Sequence, residues 1–425
     1  MKYAPKLYHL SNGMPVILDA MNIATTVVKI NFNTGSRAET PENSGITHFV
    51  EHMFFAGTPR FPNYNQNMNA IERHGGYINA STGYNDIDLD GRIIAKNLPH
   101  LIDTMADALI NPLFDTAAIE KEKTVVINEY ERRKSETGYG MNLFERHNLF
   151  RGDGVKNMTL GHPDTIKSFA REQLIDWKNQ KFSTQNGLIA ISGKIQNSDK
   201  ILNQLENLFK DFPSHKVPGG TPHTEFNECI AHNKTTAKIT DIAIAFENKF
   251  HDSYEYKFQQ FCINRFRGAY NDRLYNIIRG EKGLVYGIKS SNKIVGKARA
   301  NTIGTRISPE KLPEVVSLCA KIAYDMQHKN KFNKAELIQQ QNSVLLGDAE
   351  WLDSPSQRIN TIINYYFDYG ILYDYKKVIN MGKSIKVRDV HEHTHDIFDM
   401  PMSVITHGAM CDPAKLKQIW LDNYR

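Results

Sequence analysis

The stretch that decides the reading is Ser44-Gly45-Ile46-Thr47-His48-Phe49-Val50-Glu51-His52-Met53-Phe54-Phe55. Ile46, Phe49, Val50, Met53 and Phe54 recur at helical spacing, so the segment reads as an amphipathic helix with Ser44 as its N-cap. On such a helix His48 and His52, four residues apart, project from one face a turn apart. Two imidazoles so placed form half of a tetrahedral zinc site. Glu51 falls between them in sequence, where its carboxylate reaches the rim of the site without ligating. That position suits a general base acting on zinc-bound water. With 16 histidines in 425 residues, chance supplies roughly 0.03 such pentads per chain. The alternative, two ordinary helix-face histidines beside a surface glutamate, is therefore the weaker reading.

A hydrolytic zinc site takes three protein ligands and leaves one position open. No cysteine precedes Cys229, which leaves carboxylates and other histidines as the third ligand. The sequence from Thr116 to Glu136 reads as one long helix capped by Asp115, and it offers Glu122 and Glu129 on one face. Seven residues of helix rise about 10 Å, so only one of the two can ligate while the other orients a ligand or steadies charge. Helical arithmetic does not choose between them. His74 is a further possibility, but it sits at a helix end before Gly75-Gly76, where an ordinary loop histidine is expected.

Around these segments the pattern is α+β. Tyr8 to Leu18 reads as a hairpin turning at Asn12-Gly13, and Thr25 to Phe32 alternates like a half-buried strand. Gln66 to Arg73 is expected to be a helix, Tyr77 to Thr82 and Asp86 to Ile94 paired strands, and Leu98 to Ile110 a helix. Helices over Arg171 to Phe182 and Ser198 to Phe209 flank a strand at Gly187 to Ser192. Prolines and glycines crowd residues 213–228, the best domain boundary. Beyond it the order restarts. A strand at Ala237 to Phe246 leads to helices at Tyr254 to Phe266 and Tyr270 to Arg279. Strands near Val285 to Ser290 and Ala298 to Thr305 follow, then a helix from Leu312 to Gln327. The expectation is two homologous domains, 1–212 and 229–425, related by duplication, each a mostly antiparallel sheet packed with helices.

Composition narrows the function classes. The net charge of +5 comes from 52 basic and 47 acidic residues that are interspersed, so no basic block points to nucleic acid. No apolar run approaches a membrane span, and no apolar leader is evident at the start. The four cysteines are dispersed, with no C-x-x-C pair. Together these features lead us to expect a protein of the cytoplasm with no membrane partner.

His48-Phe49-Val50-Glu51-His52 followed by Glu129 resembles the pitrilysin/mitochondrial processing peptidase family of zinc metallopeptidases. The text around both motifs agrees, in Gly45 to Thr58 and in Glu120-Lys121-Glu122-Lys123-Thr124-Val125-Val126-Ile127-Asn128-Glu129. The resemblance covers nearly the whole chain. It implies one Zn2+ per subunit held by His48, His52 and Glu129, with Glu51 as general base and Glu122 as the acidic residue that supports the ligands. Gly75 to Thr82 is similar to the family's substrate-binding edge strand, which makes Asn79, Ala80 and Ser81 the expected contacts to an extended peptide. Asn271 to Arg279 and Gly283 to Tyr286 resemble the segment carrying the family's arginine–tyrosine pair, here Arg279 and Tyr286. The family builds a chamber from four such domains, which implies a dimer. Both motifs lie in one chain, so a homodimer is expected, with a heterodimer containing an inactive relative as the other arrangement. Two departures bear on substrate preference: a short loop after Gly161-His162-Pro163, and Phe182 where a tyrosine is common. The expected activity is zinc-dependent endopeptidase cleavage of extended peptides, presequence-like segments or unfolded polypeptide. A non-catalytic assembly subunit of the same fold is the first alternative. An S-ribosylhomocysteine lyase-like enzyme is the remote one, disfavoured by chain length and by the lack of an early cysteine.

Overall fold

A computed structural model describes residues 3–217, 223–249 and 254–425. The chain divides into two compact units. The first comprises Met1–Arg133, Asn157–Gly220 and Asp348–Tyr375; the second comprises Lys134–Lys156, Thr221–Gly347 and Lys376–Arg425. Part of the boundary expected at 213–228, residues 218–222, lies outside the described residues. The contact units therefore interleave along the chain, each taking one segment from the other's half of the sequence.

The first unit holds a six-stranded sheet built from β1 (Lys6–His9), β2 (Pro15–Ala20), β3 (Thr25–Phe32), β4 (Gly76–Thr82), β5 (Ile87–Ile94) and β6 (Gly187–Gly193). Its order is β1-β2-β6-β3-β5-β4, which leaves β4 at an edge. Only β2 and β6 run parallel; the other neighbours are antiparallel. On one face lie α1 (Ile46–Ala56), which carries the histidine pair, and α2 (Thr116–Ser135), which carries Glu122 and Glu129. Phe49, Val50, Met53 and Phe54 of α1 are fully buried in this core with Val28, Ile30 and Phe32 of the sheet. The apolar side of α1 is thus committed to the sheet, and its polar side is left for chemistry.

The other face is covered by α3 (Pro355–Tyr369), a helix from the far end of the sequence. Ile359, Ile362 and Ile363 follow helical spacing and pack on Ile17, Val27, Leu188 and Ala190. Each such buried isoleucine contributes roughly 2 kcal/mol.

The second unit repeats the arrangement with β7 (Ile230–Lys234), β8 (Thr240–Glu247), β9 (Ile288–Val295), β10 (Ala298–Ile307) and β11 (Met402–Gly408). The order is β9-β10-β8-β11-β7, again with one parallel pair, β11 with β7. A helix from the first half of the sequence, Tyr139–Leu149, contacts this sheet as α3 contacts the other. Matching strand order and matching parallel pair are what duplication of one α+β domain produces.

Several local expectations are corrected. Ser44 does not cap α1: the cap position is Gly45, left-handed at φ 92°, with no side-chain cap of its own. Tyr270 to Arg279 is not a separate helix. The helix Tyr254–Leu274 continues into a π-helical turn, Tyr275–Glu281. The strand expected at Val285 to Ser290 lies instead at Ile288–Val295, where it pairs with β10 through a two-residue turn at Gly296-Lys297. Gly296, at φ 58°, supplies the left-handed backbone that such a turn demands.

Candidate active site

His48 and His52 leave α1 on its polar side, with ring centroids 4.7 Å apart. Glu129 arrives from α2, its Oε2 lying 3.6 Å from Nε2 of each histidine. One ligating atom from each of His48, His52 and Glu129 falls within 4.8 Å of the others, the only such His/Cys/Asp/Glu group among the described residues. Glu122, one heptad before Glu129, hydrogen-bonds His52 Nδ1 at 3.0 Å. Glu129 thus lies with the two histidines, and Glu122 stands behind His52. His74 is elsewhere, its ring stacked on His100 at 4.0 Å.

The three groups are electrostatically coupled. Burial, reinforced by His52, lowers the pKa of His48. Burial also opposes charge on His52, but its hydrogen bonds to Glu122 and Glu129 prevail and raise it to about 9. The His52 hydrogen bond, ahead of burial, holds Glu129 below the usual carboxylate range. Two imidazoles and a carboxylate converge here in part-buried surroundings, and His48 Nδ1 has no hydrogen-bond partner among the described residues. Two nitrogens and one oxygen are the donor set of a hydrolytic zinc site with an open position, so the residues fit the ion.

Glu51 points to the same region and is pushed up to about 7, chiefly by burial. Its carboxylate accepts a hydrogen bond from the Thr82 hydroxyl at the end of β4. Thr82 was not singled out from the sequence. Nothing in its immediate sequence shows that β4 ends beside α1.

Along β4, Ile78 and Ala80 are buried while Tyr77, Asn79 and Ser81 are exposed. Of the three residues expected to meet substrate, Asn79 presents its amide outward. Ala80 turns its side chain to the core, and Ser81 donates to Asp88 at 2.6 Å. In the second unit, Arg279 sits in the π-helical turn with its guanidinium 5.6 Å from the Tyr286 ring and 4.7 Å from the Tyr275 ring. Tyr286 is 91% exposed. The arginine and tyrosine are thus neighbours, and such π-turns recur at functional sites.

The residue that takes over the capping of α1 is Glu39. Its two carboxylate oxygens accept from Gly45 N at 2.8 Å and Thr47 N at 2.9 Å. Burial pushes Glu39 up to about 7 from an ordinary 4.5, against the pull of those two hydrogen bonds. An acid whose folded pKa exceeds its unfolded value contributes most to stability at low pH. That contribution declines as pH rises between the two values. Across pH 4.5 to 7, wild type is therefore expected to lose a few kcal/mol relative to Glu39→Gln, read from urea midpoints at pH 5 and pH 8. Parallel pH dependence in the two proteins would contradict this.

Comparison with known proteins places these features in context. Residues 16–161 match the family model described as insulinase (peptidase family M16), and residues 168–344 match the peptidase M16 inactive domain. An uncharacterised zinc protease of Rickettsia felis is 25% identical over 98% of this chain and 100% of its own. The mitochondrial-processing peptidase subunit beta of Dictyostelium discoideum is 28% identical over 51% of this chain and 46% of its own. The crystal structure of a Helicobacter pylori protease superimposes with a TM-score of 0.82 at 18% identity, covering 96% of this chain and 99% of the other. Among the described residues, no helix is long and apolar enough to cross a membrane.

Proposed function

The chain belongs to peptidase family M16, the insulinase family, and we propose that it is a zinc-dependent endopeptidase acting on extended peptides or unfolded segments. One observation carries this reading: His48, His52 and Glu129 converge while Glu51, held by Thr82, faces them from beside an open sheet edge. Zinc, when bound by His48, His52 and Glu129, supplies Lewis acidity toward water and the scissile carbonyl.

The remaining steps belong to the chain's own groups. The free edge of β4 pairs with the peptide main chain, and the Asn79 amide adds a polar contact where the side chains alternate outward. Ala80 and Ser81 contribute through their backbone groups. The Glu51 carboxylate takes a proton from the attacking water and passes it to the leaving amine nitrogen. Glu122, accepting from His52 Nδ1, fixes the tautomer that presents Nε2 to the metal. Arg279 and Tyr286 bind substrate carbonyls or the developing oxyanion. By family analogy they act across a homodimer, on the site of the partner subunit. Sedimentation showing only monomer under active conditions would overturn the homodimer. Four free thiols support a reducing, cytoplasmic setting.

A non-catalytic assembly role is the second reading, favoured by the description of the domain matched at 168–344 as inactive. The two are separated by a quenched fluorescent peptide library assayed before and after chelation. Cleavage lost on chelation and restored by stoichiometric Zn2+ is the expected result. No cleavage by folded, zinc-loaded protein would favour the assembly role.

A further inference from the structure

The two histidines are held in unlike ways. His52 has the usual support of a metal-ligating imidazole, a carboxylate on its second ring nitrogen. His48 Nδ1 is buried and has no hydrogen-bond partner among the described residues. No polar contact on that nitrogen therefore fixes the orientation of the His48 ring. It is set by packing and by the backbone from which it projects. That backbone is the first turn of α1, the part of a helix whose N–H groups lack partners within the helix and which frays first.

The first turn of α1 is clamped from outside. Gly45, at its cap position, has no side chain to offer. In its place Glu39, only 7% exposed, spans Gly45 N and Thr47 N with its two oxygens. Glu39 is itself anchored, since Asn157 Nδ2 donates to the carbonyls of Ser36 at 2.7 Å and Glu39 at 2.8 Å. Thr165 Oγ1 donates to Ser44 O at 2.7 Å, tying down the residue just before the cap. Gly161 packs against the Gly45 backbone so closely that a Cβ on Gly161 would lie 2.6 Å from Gly45 Cα.

We propose that Glu39 is a positioning residue for the metal centre, doing for His48 through the helix backbone what Glu122 does for His52 through the imidazole. The inference rests on the reading of His48 as a zinc ligand. It also assigns a cause to an arrangement that costs stability: a carboxylate is buried at a helix end where an ordinary N-cap serine would suffice.

The test is zinc affinity, measured by chelator competition on the full-length protein, in Glu39→Gln and Glu39→Ala, with His48→Ala as reference. Glutamine keeps one acceptor oxygen of the two and alanine keeps neither. Removal of a ligand-supporting partner typically weakens metal affinity about 10–100-fold. The expected series is a loss of roughly tenfold in Glu39→Gln and toward 100-fold in Glu39→Ala. With Co2+ as the probe metal in place of Zn2+, the absorption bands are expected to shift in Glu39→Gln as His48 moves. Circular dichroism at the pH and temperature of the affinity assay is expected to show Glu39→Gln fully folded. The affinity loss then cannot be assigned to general unfolding. Unchanged zinc affinity and an unchanged Co2+ spectrum in Glu39→Gln, with zinc lost in His48→Ala, would overturn the positioning role alone. Zinc affinity retained in His48→Ala would overturn the ligand assignment on which it rests.

Discussion

Glu51→Gln is expected to abolish peptide cleavage, lowering kcat by at least about 10³-fold while leaving zinc bound and KM within a few-fold. Glutamine is isosteric and its carbonyl oxygen still accepts from the Thr82 hydroxyl, so the fold around the site has no reason to move. The three converging donors, His48, His52 and Glu129, are untouched. What is lost is a group that exchanges a proton with water and with the leaving amine. A 10³-fold loss corresponds to about 4 kcal/mol of transition-state stabilisation, within the range assigned to positioned acid–base groups. Burial is the largest influence on the Glu51 carboxyl, which is pushed up to about 7. Single-turnover cleavage with metal content measured on the same sample is the check. Activity within tenfold of wild type would remove Glu51 from the chemistry, and loss of zinc together with activity would make its role structural.

The pentad from His48 to His52 was legible because its geometry is local. Four-residue spacing on one helix fixes two imidazoles on one face whatever the rest of the chain does. The third member of the candidate site was only partly legible. Glu122 and Glu129 share a face of α2, and the relation to α1 that selects Glu129 depends on how both helices lie on the sheet. Glu39 and Thr82 were not legible at all. Glu39 sits in an irregular segment, where nothing local marks it as the cap for Gly45 and Thr47. Thr82 meets Glu51 only through the register of β4 at the sheet edge.

The same physical distinction explains the errors elsewhere. The expected break at Arg267-Gly268-Ala269 falls inside the helix Tyr254–Leu274, where Gly268, a weak helix former, is carried through. Of the twenty residues from Lys334 to Asp353 only Leu337 is buried, so that helix carries almost no apolar stripe to read. The exchange of α3 into the first unit is a matter of tertiary packing, invisible to periodicity.

That exchange yields the second large prediction. Arg358 of α3 is 0% exposed and Asp19 of β2 is 1% exposed. The two form a bidentate pair, with Nε to Oδ2 at 2.7 Å and Nη2 to Oδ1. Ser192 donates to Asp19 Oδ2 at 2.8 Å, and the rings of Tyr3 and Trp351 lie 4.9 Å and 5.7 Å from the guanidinium carbon. Replacing a buried pair with apolar groups is often neutral, whereas removing one partner costs about 3–5 kcal/mol because a charge is left stranded. Arg358→Met is therefore expected to lower the melting temperature by roughly 10 °C, at about 2–4 °C per kcal/mol for a unit of this size. The double replacement Asp19→Leu with Arg358→Met is expected to recover most of the loss, since Ile359, Ile362 and Ile363 still seat the helix. Calorimetry of the single and double variants against wild type decides the matter. A double variant as unstable as the single one would mean that α3 is held by the shape of the arginine stem rather than by cancellation of its charge.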